Sequence, residues 1–154
     1  MKTRAIAITL VTCLAGLTLC FAQDANMGTW KLNEAQSKLV PGGPKNHTVI
    51  YEAVGDQVKV TVDGVDRNGK PTHNEWTGKF DGQDYPVIGD PTSDMRSYTK
   101  IDDHTLGLNV KKSGKVTVSG RIAVAADGKT RTVTTTGTDS KGNKISSVAV
   151  YDKQ

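Results

Sequence analysis

From Gly28 onward, apolar side chains recur at every second position in short runs, and the chain holds no 3.6-residue apolar stripe of helical length. Val58, Val60 and Val62 share one face of a strand, with Lys59, Thr61 and Asp63 on the other. Asn74, Trp76, Gly78 and Phe80 alternate with His73, Glu75, Thr77 and Lys79. The same parity aligns Leu106, Leu108 and Val110, then Val116, Val118, Ile122 and Val124, and finally Val148 with Val150. One dry and one wet face per strand is the mark of an antiparallel sheet with a single core.

Turn residues divide these runs at Gly55-Asp56, Asn68-Gly69, Asp81-Gly82, Asp102-Asp103, Ser113-Gly114, Asp127-Gly128 and Lys141-Gly142. Gly, Asn and Asp accept the positive φ of tight hairpins. Looser connections fall at Glu34 to Asn46 and Gly89 to Asp94. The expected fold is all-β, an antiparallel up-and-down meander of about 8 to 10 strands closed into a small barrel, which removes the exposed edges of an open sheet. A β-sandwich, with identical alternation, is the alternative. The run Tyr85-Pro86-Val87-Ile88 contains a proline and is expected to be a short or edge strand.

Residues 1–22 read as a signal peptide: Lys2 and Arg4 supply charge, Ala5 to Leu19 an apolar stretch, and Cys20-Phe21-Ala22 a cleavage site before Gln23. Residues 23–154 then form a single β-barrel domain, and the expected location is secreted or periplasmic, with no stable membrane insertion after cleavage. Both cysteines, Cys13 and Cys20, fall in the leader, so the mature chain has no thiol for a disulfide, a nucleophile or a metal. Removing Lys2 and Arg4 leaves 18 basic against 16 acidic residues, a net charge of +2. That balance gives no extended phosphate track for nucleic acid, although Lys111, Lys112 and Lys115 form a local basic tip.

The opening strand carries Gly28-Thr29-Trp30-Lys31-Leu32, and a G-x-W at this place resembles the calycins, the lipocalin and fatty-acid-binding superfamily. With its GTWKLN start and VAVYDKQ end, the mature domain over nearly its whole length is also similar to small exported bacterial proteins described only as lipocalin-like or hypothetical. The resemblance implies a barrel whose first-strand tryptophan plugs the closed end beneath a ligand cavity, with Arg131 as the candidate basic residue crossing that indole. Two features of the fatty-acid-binding branch are missing: Glu34 to Asn46 is too short for a helical lid, and Ala149 stands where its Arg-x-Tyr clamp would need arginine before Tyr151.

The chain offers little sign of catalysis. His47, His73 and His104 lie in separate segments without metal-ligand spacing, no G-x-S-x-G elbow appears, and the aspartates gather at turns. His73 and Glu75 share a strand face and read as a solvated pair. We expect no enzyme activity, no cofactor and no metal. The expected function is that of a small exported barrel taking a small apolar or amphipathic ligand into its interior, with Trp30, Val60, Trp76, Phe80, Leu106, Leu108, Val118 and Arg131 as candidate ligand-binding residues. The alternative is a packed β scaffold whose loops engage another extracytoplasmic protein.

Overall fold

The structure is a computed structural model and describes residues 24–138 and 141–154, so the proposed leader lies outside the described residues. Ten antiparallel strands follow in order: β1 (Gly28–Leu32), β2 (Lys45–Val54), β3 (Gln57–Val65), β4 (Pro71–Gly78), β5 (Tyr85–Ile88), β6 (Met95–Asp102), β7 (Thr105–Lys112), β8 (Lys115–Val124), β9 (Thr130–Thr138) and β10 (Lys144–Lys153). Each pairs with its sequence neighbours, and β1 also pairs with β10 through Trp30↔Lys153, Lys31↔Asp152 and Leu32↔Tyr151. The sheet is therefore a closed up-and-down barrel, and the sandwich alternative is ruled out.

Local chemistry accounts for the corners. Ser113 and Gly114 both adopt positive φ, 51° and 76°, as a two-residue hairpin between right-twisting strands demands. The segment after β1 holds only a three-residue 3₁₀ turn (Glu34–Gln36), capped by Asn33. Beyond it Lys38 exchanges backbone hydrogen bonds with Val148 at 2.7 and 2.9 Å, prolonging the seam against β10. β5 is short as expected, with only two registered pairs to each neighbour.

Alternation up and down places the ends of β1, β3, β5, β7 and β9 at one rim and those of β2, β4, β6 and β8 at the other. The second end is filled. Trp30, Val60, Trp76 and Leu106 are at most 1 % exposed, and Phe80 packs against the same cluster. A Cβ on Gly78 would lie 2.5 Å from the Tyr85 ring and 2.7 Å from Trp76, so only glycine lets these two rings meet.

Two parity expectations require correction. Val116 was expected inward with Val118, but the β7–β8 register passes from Val110↔Val118 to Lys111↔Val116. Thr117 is the extra residue of a bulge, and it turns Val116 outward to 51 % exposure. On β10 the inward residues are Ala149 and Tyr151, which border the cavity, whereas Val148 and Val150 take the outer face.

Candidate functional site

The filled end is an aromatic floor in two halves joined by Tyr51. In one half Trp76 stacks on Phe80 with centroids 6.4 Å apart and meets Tyr85 and Tyr98 edge-on at 5.7 and 4.7 Å. Its indole N–H donates to the Arg96 carbonyl at 2.8 Å. In the other half Trp30 donates to the Asn26 carbonyl at 2.8 Å and lies under Arg131. The Arg131 guanidinium carbon is 4.9 Å from the ring centroids of Trp30, Tyr51 and Tyr151 alike, a threefold cation–π arrangement. Tyr51 reaches across to the first half, meeting Tyr98 and Phe80 at 6.2 and 6.4 Å.

Above this floor the barrel is hollow. A cavity of about 750 Å³ runs to the open rim. Aliphatic residues such as Val49, Val62, Leu108 and Val118 form much of its wall, Asn74, Arg96 and Arg131 give it polar points, and Tyr51, Tyr98 and Tyr151 edge its base. Leu39, Val40, Pro44, Thr138 and Ile145 stand at its mouth.

The interior electrostatics are lopsided. Arg131 is 2 % exposed, and its Nε and Nη1 have no hydrogen-bond partner because they face rings. Arg96 is 7 % exposed and donates from Nη2 to Asn74 Oδ1 at 3.1 Å. Among the described residues neither guanidinium forms an ion pair. At the mouth, burial pushes the Asp90 carboxyl up, but hydrogen bonds from Ser93 and Thr92 and the charge of Arg96 outweigh it and hold Asp90 below its ordinary value. Burial, above all, raises the Tyr51 and Tyr151 phenols, which stay neutral. The charge at the base of the cavity is therefore that of Arg131, unbalanced by a carboxylate in contact.

Of the eight candidate residues, Leu108, Val118 and Arg131 line the cavity. Trp30, Val60, Trp76, Phe80 and Leu106 face inward but lie in the filled end and do not line it. Alternation fixes which side a residue faces and is silent on its height along the barrel axis. The reading missed Tyr51, Tyr98, Tyr151, Asn74 and Arg96, although Arg96 and Tyr98 alternate on β6 as one inward pair should.

His73 is exposed on the outer wall, its Nδ1 2.7 Å from Asp63 Oδ1 and its Nε2 3.6 Å from Glu75, which in turn pairs with Lys59 at 2.7 Å. The hydrogen bond to Asp63 raises the imidazole above its ordinary value. This is a solvated charge ladder across β3 and β4. Among the described residues no group of three His, Cys, Asp or Glu could hold a metal ion.

No protein-family model matches the chain, and no curated protein matches it. Among solved structures it is similar to EF1p2_mFAP2b bound to DFHBI, at 10 % identity and a TM-score of 0.51, over 84 % of this chain and 94 % of that one. That likeness shows the fold, a small closed β-barrel.

Proposed function

We propose that the chain is an exported, non-enzymatic carrier that holds a small amphipathic molecule in the open half of its barrel, its negative end toward Arg131. The observation that carries this reading is the cavity itself: about 750 Å³, within the range of small-molecule sites, closed below by rings and open above. An aliphatic wall favours a hydrocarbon body through burial of apolar surface. A desolvated guanidinium with no carboxylate in contact favours a carboxylate, sulfonate or phosphate in its field over a cation. That the solved neighbour holds a small molecule in the same kind of fold agrees with this use of the interior. We further propose that the chain is a lidless member of the calycins, on the strength of its Gly28–Leu32 strand and the ten-strand closure.

The test is to purify the exported form gently, extract it with organic solvent and inspect the extract by mass spectrometry. In parallel, the protein is titrated with the anionic amphipath 1-anilinonaphthalene-8-sulfonate and with neutral N-phenyl-1-naphthylamine. A co-purifying amphipathic acid, or saturable one-to-one binding of the sulfonate tighter than that of the amine, is expected. An empty extract together with no saturable binding of either probe would overturn the proposal.

A further inference from the structure

Charge is divided sharply between the two walls of the barrel. Residues 105–153, which hold β7 to β10, contain nine Lys and Arg against three Asp, whereas residues 24–104 contain nine against thirteen Asp and Glu. A net charge of only +2 for residues 23–154 thus conceals a molecule with one basic and one acidic side.

The basic wall is concentrated where it meets the cavity mouth. Lys112 and Lys115 flank the β7–β8 turn, and Lys144 begins β10 at the same rim. All three are exposed, and among the described residues none is in an ion pair; Lys112 Nζ donates only to the Pro91 carbonyl at 3.1 Å. Beside them the Thr117 bulge turns Val116 outward, 51 % exposed, and Ile145 borders the mouth. Leu39 and Val40, which follow the Lys38–Val148 pair and so lie beside β10, add apolar side chains to the same part of the rim. The β7–β8 hairpin, Thr105–Val124, has no carboxylate of its own, and among the described residues the one carboxylate bonded to its turn is Asp94, whose Oδ2 accepts from the Ser113 N–H at 2.7 Å.

We propose that this rim docks, without insertion, on an anionic lipid surface, bringing the cavity mouth against the bilayer. Lysines flanking the exposed Val116, with half-buried Leu39, Val40 and Ile145 beside it, match a layer of negative head groups above hydrocarbon. An acidic protein partner would use the lysines and leave Val116, Leu39 and Val40 without a matching surface. The geometry also rests on the carrier reading in one respect, since docking at the mouth gives an amphipathic molecule a path into the barrel that avoids water.

The experiment is flotation of the full exported chain with vesicles of phosphatidylcholine alone and of phosphatidylcholine with 30 mol % phosphatidylglycerol, at low and high salt. Binding is expected to the mixed vesicles only and to fall steeply with salt. The triple variant Lys112→Glu, Lys115→Glu, Lys144→Glu is expected to bind about a hundredfold more weakly, at roughly fivefold per lysine near such a surface. The charge-matched control Lys31→Glu, Lys79→Glu, Lys100→Glu, placed away from this rim, should bind nearly as the parent does. Equal loss in the control, or no binding to the mixed vesicles, would overturn the proposal. Retention on heparin with no vesicle binding would also overturn it and assign the rim to a soluble polyanion. The sulfonate titration, run on both triple variants without vesicles, keeps the tests apart: unchanged probe binding leaves the carrier reading intact whatever the vesicles do.

Discussion

Replacing Trp30 with alanine is expected to lower the unfolding free energy by about 3–5 kcal/mol, the usual cost of removing a large buried aromatic. In a domain of this size that corresponds to a fall in melting temperature of roughly 10–20 °C. The indole is fully buried, donates to the Asn26 carbonyl and supports Arg131 from below. Its loss therefore removes apolar contacts, one buried hydrogen bond and one of the three rings that hold a desolvated cation. Trp30→Phe, which keeps a ring beneath the guanidinium, should lose about half as much. Thermal and urea denaturation would read both effects, and an alanine variant as stable as the parent would contradict the placement of Trp30 in the floor.

Arg131→Met separates charge from shape. Methionine nearly matches the length of the arginine stem and carries no charge, so the variant keeps the apolar contacts with Tyr51 and Tyr151 and removes the unpaired cation. Because a buried charge without an ion-pair partner carries a large desolvation penalty, stability is expected to hold or to rise. Affinity for the anilinonaphthalene sulfonate is expected to fall by roughly tenfold, the scale of one charge acting at several ångströms in a partly screened interior. Affinity for the neutral amine should change little. Titration of both probes against both proteins is the check, and an equal loss for the two would mean that Arg131 shapes the cavity without supplying its electrostatic preference.

These two residues show how far the sequence could be read. Trp30 and Arg131 are both recognisable, the first from the G-x-W strand and the second as the basic residue that the same resemblance sets across the indole, and the structure puts the guanidinium carbon 4.9 Å from the ring centroid. Strand existence and order were legible because valine alternation and glycine turns are local signals. Closure was expected from the need to hide sheet edges, and the β1–β10 pairing supplies it. What could not be read was position along the axis. Val60 and Leu108 have the same parity and similar chemistry, yet one lies in the floor and the other on the cavity wall. That distinction depends on strand stagger around the whole barrel, which no short window contains. Val116 failed for a related reason: one extra residue at Thr117 reverses the alternation. The tyrosines of the cavity base were passed over because each sits alone in its strand, and only closure brings Tyr51, Tyr98 and Tyr151 together.

If the hollow half of the barrel receives a small molecule, filling that space with a large side chain abolishes binding. Val118 lies on the cavity wall, with Gly137 opposite it on β9. Val118→Trp is expected to melt within a few degrees of the parent and to lose saturable binding of anilinonaphthalene sulfonate. A folded Val118→Trp protein that binds the probe with unchanged affinity and stoichiometry would place the ligand outside the barrel interior and rule out the carrier reading.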